Sequence, residues 1–122
     1  DSTLERYSLI LFPFDRSDAG PINERIMREY VYERIKPTSW VEVVGHTDVV
    51  GLYEHNKALS ERRATTVKNG INAQTKGKYG VLIVRGVGED EPLYTNDLPE
   101  GRFYNRTVQV IIRTPIEEYE QK

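Results

Sequence analysis

Two segments of helical periodicity interrupt four short runs of branched and aromatic residues, and that alternation leaves the chain few folds. Tyr7 to Phe14 (YSLILFPF), Trp40 to Val44 (WVEVV), Tyr79 to Arg85 (YGVLIVR) and Thr107 to Arg113 (TVQVIIR) read as strands bounded by polar or turn-forming residues. Between the first two, Ile22, Ile26, Met27, Tyr30, Val31 and Ile35 recur at helical spacing, with Pro21 in the first turn and Pro37 at the end. A loop follows the second strand from Gly45 to about Leu52. It leads to a helix over roughly Tyr53 to Asn69, with Gly70 as its C-terminal cap. Gly86 to Arg102 is rich in Gly, Pro, Asn and Asp and reads mostly as loop, long enough to carry a short helix of its own. Pro115 stops the last strand. The order β-α-β-α-β-β predicts an α+β fold, a two-layer α/β sandwich with both helices on one face of a four-stranded mixed sheet.

A length of 122 residues suits a single domain, here 1–122, with its core over about 7–113 and an acidic peripheral tail over 116–122. Apolar residues are only 38% of the chain, but their periodic clustering excludes disorder. The net charge of -2, from 17 basic and 19 acidic residues, gives no basic excess for nucleic acid or an anionic membrane surface. No apolar run is long enough to span a bilayer. No signal peptide is visible at Asp1, so the chain reads as a mature fragment or an excised domain. The absence of cysteine excludes disulfides and thiolate metal sites and leaves the compartment open.

Two charged residues stand where ligands commonly bind. Asp48 ends the second strand, and Arg63 follows 15 residues later on the second helix. Together they suit a zwitterion, the carboxylate holding an ammonium and the guanidinium a carboxylate. The inward stripe of that helix is expected through Leu52, Leu59, Val67 and Ile71, with Asn56 and Arg63 on or beside it. Arg62 points about 100° away from Arg63. A charge on the core side of a helix is costly unless paired or aimed into a cleft. The residues alone leave Arg63 open between an ion pair with a core-edge carboxylate and a ligand contact. They favour Asp48 as a turn or helix cap. His46, Asp48 and His55 fall short of the three or four convergent ligands a divalent metal needs, so neither metal nor cofactor is expected. No serine lies in a G-x-S-x-G elbow, and Gly86-Val-Gly88 is too short for a dinucleotide fingerprint. Gly101 and Asn105 read as turn formers, Arg102 as solvated surface and Arg106 as a donor tying the last loop to the sheet.

The motif residues resemble the OmpA-like C-terminal domain, the peptidoglycan-binding module shared by OmpA, the lipoprotein Pal and the stator protein MotB. The first block is Gly45, His46, Thr47, Asp48, Gly51, Asn56, Leu59, Ser60, Arg63, Ala64 and Val67. The second is Gly86, Gly88, Glu89, Pro92, Asn96, Gly101, Arg102, Asn105, Arg106 and Val108. The resemblance covers about Tyr7 to Arg113. It implies a non-catalytic module that holds the peptidoglycan stem peptide through its meso-diaminopimelate. Asp48 would face the ligand ammonium and Arg63 a ligand carboxylate, with Thr47, Asn56 and Leu59 shaping the pocket. Main-chain groups around Phe14 to Ala19 would add contacts. The resemblance also implies a periplasmic location within a membrane-anchored envelope protein, without nucleic-acid or membrane contact by the domain itself. Three departures are visible: Thr107 stands where many members carry a second arginine, the 75–79 segment matches the usual connector only loosely, and the 15–21 loop is individual. The other readings are a protein-interaction module that has lost wall binding, and a wall-acting enzyme, for which no nucleophile or acid/base pair is apparent. Oligomeric state, including a homo-oligomer, stays open.

Overall fold

A computed structural model of the chain describes residues 1–10, 12 and 16–116. Its strands are β1 (Ser2–Leu9), β2 (Trp40–His46), β3 (Val81–Gly88) and β4 (Val108–Pro115). Its helices are α1 (Pro21–Ile26), α2 (Tyr53–Thr75) and a short α3 (Pro99–Tyr104). The sheet order is β1-β4-β2-β3. β2 pairs parallel with β3, and β4 runs antiparallel to both β1 and β2. The last strand is therefore inserted into the sheet interior, and the C-terminal ends of β1, β2 and β3 share one edge. The expected α+β architecture with a four-stranded mixed sheet is the one observed.

Register explains which side chains are covered. Tyr7, Val110, Val43 and Val84 form one cross-strand row, and Ile112, Val41 and Leu82 belong to another. These rows join the core with Met27, Val31 and Ile35 from the first helical segment and Ala64, Val67 and Ile71 from α2. On the open face Leu4, Trp40 and Val81 are exposed, while Val44 near the end of β2 is covered. Period-two alternation thus gives a sheet with one face packed and one solvated.

Several boundaries differ from the sequence expectation: pairing carries β2 through Gly45 to His46, expected as loop, and shifts β4 to Val108–Pro115, so that Pro115 is its last residue. β1 begins earlier and ends at Leu9, because its partner β4 starts at Val108. Its first half is polar, which an edge strand tolerates: Glu5 lies at the core margin, where Arg34 Nε (2.7 Å) and Tyr7 Oη (3.0 Å) donate to it. The expected strand residues Leu11, Pro13 and Phe14 lie outside the described residues. The first helix is α-helical only to Ile26, then π-wound over Met27–Val31 and 3₁₀ over Tyr32–Arg34. In an α-helix residues four apart drift by about 40°. The wider π turn offsets that drift and keeps Met27, Val31 and Ile35 on one buried face. Ile22 and Tyr30, expected on that face, are exposed. α2 runs on past Gly70 to Thr75 and ends with Lys76 in the left-handed conformation. Gly70 is no cap; its bare backbone admits the Tyr32 hydroxyl. Leu52 lies just before α2 and is 78% exposed, so the inward stripe begins at Asn56. Finally, β3 reaches Gly88, and the long linker carries α3.

α2 sits directly on the β2–β3 pair. A Cβ on Gly45 would strike the Ser60 carbonyl, and one on Gly86 would strike the backbone of Glu61. Gly45 and Gly86 are register partners, so two adjacent strands lack side chains where the helix crosses. Ser60 fastens the contact: its hydroxyl accepts from Gly88 N (2.8 Å) and donates to Lys57 O (2.7 Å). Gly45→Ala is expected to lower the unfolding free energy by about 1–3 kcal/mol through overpacking. A urea titration with unchanged m-value checks this.

His46 closes β2 and is buried. The Glu91 carbonyl can only accept, so Nδ1 donates to it (2.9 Å), leaving Nε2 as a buried acceptor without a hydrogen bond. Burial pushes the imidazole pKa below its ordinary 6.5, opposed by the Glu91 carbonyl. The unfolded chain takes up a proton near pH 6.5 that the folded chain refuses. The stability from neutral His46 is therefore complete above about pH 6.5 and is lost as pH falls from there through the folded-state pKa. Comparing denaturation of wild type and His46→Gln from about one unit above the ordinary histidine pKa to about 1.5 units below it should show a shallower pH slope in the variant.

Candidate functional site

The edge shared by the ends of β1, β2 and β3 holds a cleft of ≈ 170 Å³, lined chiefly by the 47–51 loop and the first turns of α2. That is small against the several hundred Å³ of a drug-sized pocket and suits one ionic head group. In parallel sheets, strand C-termini and following helix N-termini commonly form such sites because their loops converge there.

The loop after β2 is held from both sides. Thr47 N donates to Gly88 O (2.9 Å), and His46 N to Thr107 O (2.8 Å). Asp48 Oδ1 accepts from Val50 N (2.9 Å), an Asx turn. The turn-capping reading of Asp48 is thus correct for one carboxylate oxygen, and the same residue, 8% exposed, also lines the cleft. Asn56, on the first turn of α2, donates through Nδ2 to Asp48 O (3.2 Å) and Val50 O (3.0 Å). A helix side chain thereby fixes the backbone that presents the acid.

Arg63 lies two turns further along α2 and is 1% exposed. Its Nε donates to Arg16 O (2.8 Å), and its guanidinium sits 5.4 Å from the Phe12 ring centroid. The carbonyl and the ring face help offset the cost of burying the cation. Arg62 is exposed, as the helical phase predicts. Leu59 forms apolar wall between Asn56 and Arg63. The five residues singled out in the sequence, Thr47, Asp48, Asn56, Leu59 and Arg63, therefore line one cleft. Thr47 Oγ1 is a buried atom without a hydrogen bond in the structure. From the loop after β1, Arg16 reaches Arg63 through its carbonyl, while Phe14 and Asp15 lie outside the described residues.

Arg106 is the lining residue that sequence reasoning placed elsewhere. Its carbonyl accepts from Phe12 N (3.3 Å), which ties the last loop to the first through the main chain rather than to the sheet through the expected side-chain donation. Its side chain, however, faces the cleft, with the guanidinium 4.6 Å from the Phe103 ring centroid and Nε buried without a hydrogen bond. The signal was its place just ahead of β4, which becomes informative only once β4 is known to pair with β2. His55 also lines the cleft, whereas His46 is turned to Glu91, so the two histidines do not converge.

Comparison with known proteins identifies the family and the fold. Residues 11–106 match the OmpA family model. The chain is 35% identical over 122 residues to the photosystem I P700 chlorophyll a apoprotein A2 of Gloeobacter violaceus, covering 88% of this chain and 13% of that protein. It is 33% identical over 101 residues to the peptidoglycan-associated lipoprotein of Haemophilus influenzae, covering 76% of this chain and 66% of that one. The crystal structure of the peptidoglycan-associated lipoprotein from Burkholderia pseudomallei superposes with a TM-score of 0.74 at 20% identity, covering 86% of this chain and 88% of that one, and so shares the fold. The chain spans about half or less of the length of several curated relatives that it matches. With most of its length covered by the family model, the chain belongs to the OmpA family.

Proposed function

We propose that this domain binds peptidoglycan non-covalently, clamping the diaminopimelate of the stem peptide between Asp48 and Arg63, and so anchors an envelope protein to the cell wall from the periplasm. The observation that carries the reading is the convergence of a nearly buried acid and a nearly buried base on one small cleft. A free diamino-acid end presents an ammonium and a carboxylate on one carbon, which matches that pair in sign. Desolvation strengthens each charge-assisted contact, and the rigid walls limit the ordering cost. Asn56 and the Asx turn hold Asp48, while Arg16 and Phe12 hold Arg63, so the site is preorganised. A relative named for association with peptidoglycan supports the same reading.

The reading is of a binder, not an enzyme. Thr47 belongs to the cleft lining, and among the described residues no base is hydrogen-bonded to its hydroxyl. Asp48 is engaged in a turn through one oxygen, and binding an ammonium would use the carboxylate as a counter-ion. Wall attachment through many copies of a repeating ligand gains from avidity, so modest single-site affinity suffices.

Asp48→Asn keeps the shape and the turn acceptor but removes the charge. Removing one charge from a desolvated pair costs about 2–5 kcal/mol, so affinity for a diaminopimelate stem peptide is expected to fall about 30-fold or more. Calorimetric titration together with circular dichroism checks this, and undiminished binding by the folded variant would sink the clamp. A lysine-containing stem peptide lacks the second carboxylate, forgoes that charge-assisted contact and should bind at least about tenfold more weakly. Equal affinity for the two peptides would remove diaminopimelate as the preferred ligand.

A further inference from the structure

Beside the cleft lies a strip of exposed rings that the clamp does not use. It begins at the cleft wall, where the Arg106 guanidinium stacks on Phe103. Phe103 contacts Tyr104 with ring centroids 5.7 Å apart, and Tyr104 contacts Tyr94 at 5.8 Å. The three rings are 44%, 40% and 51% exposed, respectively. Large aromatic side chains clustered at the surface mark a binding surface more often than chance does.

The strip is built, not incidental. Fully buried Asn105 accepts through Oδ1 from Leu93 N (3.0 Å) and Tyr94 N (2.8 Å), and donates through Nδ2 to Tyr94 O (2.9 Å) and Asn96 Oδ1 (2.9 Å). One side chain thus fixes the backbone that carries Tyr94 to the backbone that carries Phe103 and Tyr104. Gly101 permits the same closure, since a Cβ there would strike Thr95 O. A buried polar network that holds apolar rings in water is preorganised for a flat ligand.

The chemistry of that ligand follows from the surroundings. The linker beside the rings carries exposed Asp97 and Glu100, while the nearby cations are engaged, Arg106 with the Phe103 ring and Arg102 with Asn96 O (2.8 Å), so an anionic partner such as a nucleotide is disfavoured. What stacks on an electron-rich ring face without charge is a ring with polarised C–H bonds on one side, as in a pyranose. We propose that Tyr94, Phe103 and Tyr104 form a platform for an N-acetylated sugar of the wall glycan, adjoining the cleft that takes the stem peptide. This rests on the peptidoglycan reading and extends it from the peptide to the glycan.

The test compares three probes on the whole chain: free stem peptide, the same peptide carrying its disaccharide, and peptide-free glycan strands. The disaccharide-peptide is expected to bind about 3- to 10-fold tighter than the peptide alone, the range of one or two ring contacts. Tyr104→Ala and Tyr94→Ala should each reduce that increment and leave peptide affinity unchanged, while Tyr104→Phe keeps it, because the ring face and not the hydroxyl makes the contact. Equal binding of peptide and disaccharide-peptide overturns the proposal, as does an increment that survives both alanine variants. Self-association in sedimentation velocity that Tyr104→Ala abolishes would reassign the strip to a protein interface. Failure of the clamp reads out separately, as absence of binding to the free peptide. The glycan strands then decide alone: binding weakened by the alanine variants supports the platform, and no binding overturns it.

Discussion

The site depends on one close approach, that of α2 to the β2–β3 pair across two side-chain-free positions. Gly45 and Gly86 stand side by side, and the backbone of Ser60 and Glu61 fills the space that side chains would take. This lowers the N-terminal half of α2 until Ser60 hydrogen-bonds Gly88 on β3. At that depth Asn56 reaches the carbonyls of the 47–50 loop, and Arg63 lies under the loop that follows β1. Glycines inside strands are costly in conformational entropy, and their presence here exchanges intrinsic strand stability for the geometry of the cleft.

Burying Arg63 is the second constraint, and it binds three segments together. The guanidinium needs partners in the interior, and it finds them outside its own helix: a carbonyl at Arg16 and a ring face at Phe12. Phe12 in turn donates its backbone N–H to Arg106, which precedes β4. The loop after β1, the helix α2 and the entry to β4 therefore meet around one cation. A buried charge of this kind adds little net stability, because desolvation offsets most of the attraction. Its contribution is to fix where the loops sit, which is what a binding cleft requires.

Much of this was legible in the sequence because it rests on periodicity. The 3.6-residue phase placed Leu52, Leu59, Val67 and Ile71 on one inward stripe, with Asn56 and Arg63 on or beside it, and turned Arg62 outward, and the structure agrees except at exposed Leu52. The elements less visible were those set by pairing. β1 reads weakly because an edge strand with a polar half lacks the apolar run that marks a buried strand, and only its match to β4 defines its ends. The π-wound stretch after α1 left no local mark, because residues four apart also fit an α-helix. Gly70 looked like a terminator since glycine ends helices by adopting positive φ. Here it serves a side-chain contact with Tyr32 that no local rule encodes. Arg106 escaped for the same reason as β1: its neighbour in space is 58 residues away in the chain, at Asp48.

The insertion of β4 between β1 and β2 also has a mechanical meaning for an anchor. The cleft lies where β1 ends, and Ser2 lies at the opposite end of the same strand, paired with Pro115. On the anchoring reading, tension entering at the start of β1 and leaving through a ligand in the cleft runs along the strand axis. The β1–β4 ladder is then loaded in shear, with its hydrogen bonds sharing the force, whereas tension between Ser2 and Pro115 would open them one pair at a time. The ladder thus resists a pull along β1 towards the cleft better than a pull that separates its two paired ends, although β1 is an edge strand held by a single neighbour.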